Sequence, residues 1–122
     1  MRYLMIHKID ESRPEASNPS PEFQAAMGAF MQECAESGVL LAAEGVTQSK
    51  DGAVLRKTEV GAVTVTDGPF TEAREVVGGF AVVKVESKEQ ALELAQRFMS
   101  LFEEVSVEVR RIHEFEDLPP QS

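Results

Sequence analysis

The alternation of apolar and polar residues at the start of the chain predicts a β-strand. Within residues 2–9, one face of such a strand would carry Tyr3, Met5, His7 and Ile9. The opposite face is also apolar near its middle. Both faces of this strand are therefore expected to be covered.

Two longer segments have helical periodicity. The first begins with Ser20-Pro21, a serine that can cap free amides followed by a proline suited to the first helical position. Its apolar side chains recur in steps of three and four up to Cys34, and Gly38 is a suitable left-handed terminator. We predict a helix from about Pro21 to Ser37.

The second helix follows a capping-box pattern over residues 87–90. The apolar positions on one of its faces are Ala91, Ala95, Phe98 and Phe102. Residues 10–20 predict a loop, and residues 71–76 a short helical or irregular piece. The remaining strand-like segments are 39–47, 53–58, 62–66, 78–85 and 105–109.

The order of these elements predicts an α+β fold. The fold expected is a ferredoxin-like βαββαβ sandwich with an extra β-hairpin. Its elements follow in the order strand, helix, strand, two hairpin strands, strand, helix and strand. The dipeptide Asp51-Gly52 suggests a hairpin turn within residues 48–52. A second turn is predicted at Glu59-Val60-Gly61, between the short strands 53–58 and 62–66.

The predicted sheet has more apolar surface than the two helices can cover. Residues 78–85 are apolar on both faces, whereas two helices cover only one face of a four- or five-stranded sheet. We therefore predict a homodimer in which the sheets face each other. In the alternative, the longer hairpin folds back over that face within one chain.

Length and charge exclude several classes of protein. The 122 residues predict one domain over residues 1–113, with a C-terminal tail over residues 114–122. The net charge of −9 argues against binding to nucleic acid or to an anionic membrane. The single cysteine, Cys34, excludes a disulfide scaffold and is expected to be a small buried side chain.

The N-terminal segment gives no sign of export. Its apolar stretch is short and interrupted by charge, unlike a signal peptide, and no apolar run reaches the length of about 18 residues that suggests a membrane span. We expect a cytoplasmic protein.

The most distinctive run is Asp67-Gly68-Pro69-Phe70. Because proline restricts φ and glycine permits unusual backbone, this run should form a rigid corner that holds the carboxylate of Asp67 firmly. Glu72 and Arg74 follow closely, so the corner could present two carboxylates and a guanidinium to a ligand. The alternative is a structural turn with a surface Glu72–Arg74 pair.

Two other residues are candidates for acid–base chemistry. Glu44 lies within an apolar strand, where burial would raise the pKa of its carboxyl, but it is also compatible with an exposed strand position. His7 can transfer protons near neutral pH and could pair with Asp67 or Glu44, although it is also compatible with a packing role. His113 is expected at the surface.

The chain lacks the common motifs for metals and phosphates. Neither histidine has the spacing of a metal-binding motif, and no phosphate-binding loop is present, so we predict no metal and no cofactor. Gly78-Gly79 precedes a strand rather than a helix. It predicts a bulge or a close approach of backbone.

The sequence resembles the DGPF group of the YCII-related proteins. The resemblance is carried by the run from Thr66 to Glu75, by Gly78-Gly79-Phe80, by Met1 to Ile6 and by Glu44-Gly45. It implies a ferredoxin-like fold of the dimeric α+β-barrel type and a bacterial protein without an established function.

The resemblance also bears on the candidate residues. Related YCII-like proteins have a His–Asp pair in an active-site pocket. Asp67, Glu72 and Arg74 match the motif of the group directly. Some members are encoded beside alternative sigma factors, which implies a regulatory connection.

Two functional hypotheses follow. The first is a small-molecule-binding or cofactor-independent enzyme-like protein with a carboxylate-bearing pocket. Its predicted catalytic residues are Asp67, Glu72, His7 and Glu44. Its predicted ligand-binding residues are Arg74, Phe70, Gly68 and Pro69. The second is a non-catalytic regulatory or interaction module linked to transcription regulation.

Overall fold

The computed structural model describes residues 1–117 and residue 119. The strands are β1 (Arg2–Ile9), β2 (Leu40–Gly45), β3 (Ala53–Glu59), β4 (Ala62–Asp67), β5 (Val76–Lys84) and β6 (Ser106–Arg111). The α-helices are α1 (Pro14–Ser17), α2 (Pro21–Glu36) and α3 (Lys88–Met99). Short 3₁₀ turns cover Ser49–Asp51 and Phe115–Asp117.

Four of the strands form one antiparallel sheet in the order β2-β5-β1-β6. The two central strands, β5 and β1, are thus neighbours in space although most of the chain separates them. This order and the two long helices make the fold ferredoxin-like, which confirms the α+β prediction.

Both long helices begin where the sequence predicts, and α2 also ends there. Helix α3 ends at Met99, so Phe102, predicted on its apolar face, lies beyond the helix. The Ser20 side chain accepts a hydrogen bond from the Phe23 amide, with Pro21 at the first helical position. Gly38 terminates α2 with a φ of +80°, which is a conformation that favours glycine. At α3, the Ser87 side chain accepts from the Gln90 amide.

The core lies between the sheet and α3. It is formed by the buried side chains of Tyr3, Met5, Val83, Val85, Ala91 and Ala95. The face of the sheet on which these strand residues lie is called the inner face. The opposite, outer face carries Leu4 and Ile6 of β1 beside their strand partners Val82 and Phe80. Phe80 is 37% exposed, so the outer face is apolar and incompletely covered.

The hairpin β3–β4 forms a separate two-stranded sheet. Val54 is half-buried and every other residue in its two strands is exposed, including Leu55, Val63 and Val65. The hairpin therefore does not cover the outer face within one chain.

Some local predictions were wrong. The hairpin predicted at Asp51-Gly52 does not form, because β2 pairs with β5 and not with β3. The turn between β3 and β4 lies at Val60-Gly61, as predicted, and Gly61 has a φ of +84°. Asp51 instead ends a 3₁₀ turn that is closed by a hydrogen bond from the Gly52 amide to the Ser49 carbonyl. Residues 10–20, predicted as a loop, contain the single helical turn α1.

The predicted tail begins in contact with the sheet. The Glu114 carboxylate accepts hydrogen bonds from the Arg2 guanidinium at 2.9 and 3.2 Å. The boundary predicted at residue 113 stays a prediction, and positions 118 and 120–122 of the tail lie outside the described residues.

Candidate functional site

A cavity of about 950 Å³ lies between the inner face of the sheet and helices α2 and α3. Most of its wall is apolar, with a group of phenylalanine and methionine side chains. The side chains that define it include Phe23, Phe30, Phe98, Phe102, Met27 and Met31. Its size and apolar lining are typical of small-molecule sites.

The cavity exists because α2 packs loosely on the sheet. Cys34 is the one residue of this helix that is buried, and burial raises the pKa of its thiol. Phe23, Met27 and Phe30, on the same face, are only half-buried. Their side chains therefore line open volume instead of filling it, whereas the small Ala91 and Ala95 let α3 sit directly on the sheet.

An aromatic cluster forms one end of the cavity. The rings of Phe98 and Phe102 have centroids 5.0 Å apart, and Phe23 meets Phe102 edge-to-face at 4.9 Å. The imidazole of His7 joins the cluster at 5.2 Å from Phe98 and 5.8 Å from Phe102. Such spacings are favourable for aromatic pairs.

His7 is positioned by glycines on the adjacent strand. A Cβ atom at Gly78 would lie 2.7 Å from His7 Nε2, and one at Gly79 would lie 2.7 Å from His7 Cε1. The register of β1 against β5 shifts between His7 and Lys8, which confirms the predicted bulge or close approach at the two glycines. The imidazole thus lies between β5 backbone and phenylalanine rings.

This environment keeps the imidazole neutral. Burial among apolar groups lowers the pKa of His7 from its usual value, because the charged form loses hydration. Among the described residues, no hydrogen bond involves the imidazole side chain. His7 therefore offers the cavity an acceptor nitrogen and an N–H that a ligand can engage.

The cavity mouth is formed by charged residues from the segment after β1 and the segment after α3. Arg13 bridges the two segments, since its guanidinium donates to Glu104 at 2.7 Å, to Glu103 at 3.0 Å and to Glu15. Asp10 also lines the mouth. Carboxylates therefore outnumber the one arginine at this mouth.

The pKa of Asp10 is lowered, so this carboxylate is ionised near neutral pH. The largest cause is the hydrogen bond from the Ser12 hydroxyl, at 2.6 Å, with a further bond from the Ser12 amide. Arg13 and Arg74 add smaller Coulomb attractions.

The run Asp67-Gly68-Pro69-Phe70, here called the DGPF corner, packs against the Ser49–Asp51 turn. A Cβ atom at Gly68 would overlap with the carbonyl group of Ser49, so only glycine fits there. The Gly68 amide donates to Gly52 O at 2.9 Å, and the Gly68-Pro69 peptide is cis. Asp67 is exposed at the end of β4.

Ser49 connects the DGPF corner to the end of β1. Its hydroxyl donates to the Glu11 carboxylate and accepts from the Phe70 amide at 2.9 Å. The Ser49 amide also donates to Glu11, at 3.0 Å. Since Ser49 is buried, with 7% exposure, these bonds stabilise the base of the hairpin.

The structure separates the predicted site residues. His7 and Glu44 line the cavity, although Glu44 is exposed and has Phe80 of the outer face as its strand partner. Asp67, Glu72 and Arg74 are exposed and lie outside the cavity lining. The predicted ligand contacts Gly68, Pro69 and Phe70 belong to the DGPF corner, and Phe70 borders a separate hollow of about 440 Å³.

The sequence interpretation missed the phenylalanines as site residues. Helical periodicity places Phe98 and Phe102 on the packing face of the second helix, and Arg13 falls within the predicted loop. The available signal was the combination of a strand histidine with Gly78-Gly79, because adjacent glycines on a neighbouring strand leave room for a ring.

Two general features bear on the class of site. Within residues 1–117 and 119, no group of three or more His, Cys, Asp or Glu residues is arranged to hold a metal ion. In that same part of the chain, no helix combines the length and the apolar character that crossing a membrane requires.

The fold and cavity define a small ferredoxin-like α+β protein with an apolar chamber beneath its helices. Comparison with protein families agrees with this class. The model of the YCII-related domain matches residues 1–116, and the chain therefore belongs to the YCII-related family. No curated protein sequence matches the chain.

Proposed function

We propose that this protein binds an apolar small molecule in the cavity between α2, α3 and the sheet, and acts on it without a cofactor. The observation that supports the proposal is the cavity of about 950 Å³ that holds one imidazole among phenylalanine and methionine side chains. An apolar chamber with a few polar groups is the usual form of a ligand site.

The chemistry available to this site is proton transfer. A neutral imidazole near pH 7 can accept a proton from a bound molecule and return it to another atom. His7 fits this role because its ring is fixed by β5 and by Phe98 and Phe102. A ligand that carries an acidic proton beside an apolar body would suit the site.

The test uses a cavity-filling substitution and the neutral fluorescent probe N-phenyl-1-naphthylamine. Ala43 is half-buried in β2 and lines the cavity, so Ala43→Phe should abolish the fluorescence increase on binding. Ala29→Phe, at an exposed position of α2, is the matched control and should bind as the natural protein does. Failure of the natural protein to bind would contradict the proposal and favour the regulatory-module hypothesis.

The roles predicted for Asp67 and Glu72 can be tested in the same assay. Both carboxylates lie outside the cavity lining, and we expect Asp67→Asn and Glu72→Gln to leave probe binding unchanged. Loss of probe binding in either variant would indicate that the ligand binds at the DGPF corner instead.

We also propose that the protein is a homodimer, as the sequence predicts. Supporting this, the outer face presents Phe80 at 37% exposure, and the hairpin presents Leu55 and Val65 at 65% and 60%. Exposed apolar surface of this kind is typical of contacts between subunits. Sedimentation should give a dimer at micromolar concentration, and Phe80→Glu should shift it towards monomer.

A further inference from the structure

We propose that the ligand of the cavity is a neutral or cationic apolar molecule with one hydroxyl group, and that His7 hydrogen-bonds that hydroxyl. This inference rests on the proposed function and specifies its ligand class. It is carried by three features: the position of the imidazole, the apolar character of the surrounding side chains, and the charge of the mouth.

The position of His7 directs one polar contact into the cavity. One side of the ring is closed by the glycines of β5, and Phe98 and Phe102 close another, at 5.2 and 5.8 Å. No side-chain partner within the described residues uses its nitrogens. A hydroxyl can donate to the free nitrogen or accept from the N–H, so it suits either tautomer.

The side chains around the imidazole favour apolar groups on the part of the ligand that lies beside it. Phe23, Phe98 and Phe102 are in mutual ring contact beside the imidazole, and Met5 and Met27 also line the cavity. A further polar group on the ligand would be buried without a partner among these side chains, which is unfavourable. Flat ring systems would pack well against the phenylalanines.

The charge of the mouth excludes anionic ligands. Arg13 is the one cation among the charged lining residues, and it is already paired with the carboxylates of Glu15, Glu103 and Glu104. Asp10 adds another carboxylate. Since the whole chain carries a net charge of −9, a phosphate or carboxylate would be repelled during approach.

The experiment compares three probes of similar shape by isothermal titration at pH 7.5. 4-Butylphenol supplies the hydroxyl, 4-butylanisole replaces its hydrogen with a methyl group, and 4-butylbenzoate carries a negative charge. We expect the phenol to bind about tenfold more tightly than the anisole, the difference that one hydrogen bond of about 1.4 kcal/mol provides. The benzoate should bind at least as weakly as the anisole.

The variant His7→Leu tests the assigned partner. It should reduce phenol affinity to the anisole level and leave anisole affinity unchanged. The ¹⁵N chemical shifts of the His7 imidazole in the natural protein give an independent readout. They should move with the phenol and stay in place with the anisole, whether or not the variant folds.

The outcomes separate this inference from the proposed function. If no probe binds, the proposed function fails and the ligand class fails with it. If phenol and anisole bind equally and the imidazole shifts stay in place, the cavity binds small molecules but the inference about the hydroxyl is overturned. If the benzoate binds most tightly, the charge argument is overturned.

Discussion

The substitution Gly78→Ala tests whether His7 sits where the structure places it. A Cβ atom at position 78 would lie 2.7 Å from His7 Nε2 and 2.9 Å from His7 Cδ2, well inside van der Waals contact. Overpacking of this kind costs about 1–3 kcal/mol. Alanine recovers about 0.5–1 kcal/mol because glycine in a strand is entropically unfavourable. The expected net loss of unfolding free energy is therefore about 0–2.5 kcal/mol, with a middle value of about 1 kcal/mol.

A double-mutant cycle isolates the contact with the imidazole. In a His7→Ala background the obstructing ring is absent, and Gly78→Ala should become neutral or stabilising by up to about 1 kcal/mol. Gly79→Ala is the matched comparison, since its Cβ would also lie 2.6 Å from the Glu44 carbonyl oxygen. Removal of His7 leaves that backbone clash in place, so the cost of Gly79→Ala should persist.

Thermal or urea unfolding of the six proteins, with Gly78→Ala and Gly79→Ala each measured with and without His7→Ala, gives these differences. For a chain of this length, 1 kcal/mol corresponds to about 4 °C in Tm, so the middle value predicts that Gly78→Ala lowers Tm by about 4 °C. The reasoning is refuted if Gly78→Ala costs the same with and without His7. In that case the imidazole does not lie over the glycines, and the site must be built differently.

Three further predictions concern the hairpin base, the imidazole and the mouth. Ser49→Ala should lower the unfolding free energy by about 2 kcal/mol through the loss of two buried hydrogen bonds, against about 0.5 kcal/mol or less for the exposed Ser12→Ala in the same denaturation assay. Because burial lowers the pKa of His7, the imidazole binds a proton more readily in the unfolded chain than in the folded protein. The unfolding free energy should therefore decline as pH falls below about 6.5. His7→Leu should reduce this dependence of stability on pH, and His113→Gln should not. Arg13→Ala removes the ion pairs across the cavity mouth, so it should raise the rate of probe release severalfold in stopped-flow measurements. Its Tm should change little, because these pairs are exposed. An unchanged release rate would contradict a role for Arg13 in access to the cavity.

The helices and strands were predictable because each has a local cause in the sequence. Ser20-Pro21 starts α2 by capping and Gly38 ends it in a left-handed conformation, and both signals act within one turn of the chain. The hairpin suggested at Asp51-Gly52 does not form, because Asp-Gly also suits other turns and here closes a 3₁₀ turn. The sequence alone does not reveal that Ser49, two residues before Asp51, is held in this turn by Glu11, which is 38 residues away.

The site was harder to predict because it depends on how closely helices approach the sheet. Helical periodicity assigns Phe23, Phe30 and Phe98 to an inward face, but periodicity is the same whether those rings fill a core or line a cavity. The difference lies in α2, which buries Cys34 alone among its residues. The distance between α2 and the sheet depends on how the whole chain packs, and no local sequence pattern encodes it.

The two glycine motifs of the chain show that the most distinctive motif of a sequence need not be the one that marks the functional site. Gly68 is required because the Ser49 carbonyl occupies the space of a Cβ atom, and the corner around it makes backbone bonds that stabilise the hairpin base. Gly78 is required because the His7 imidazole occupies the equivalent space at β5. The first glycine accommodates backbone and therefore supports structure. The second accommodates a titratable ring that faces a cavity, and for that reason the less distinctive motif is the better marker of the site.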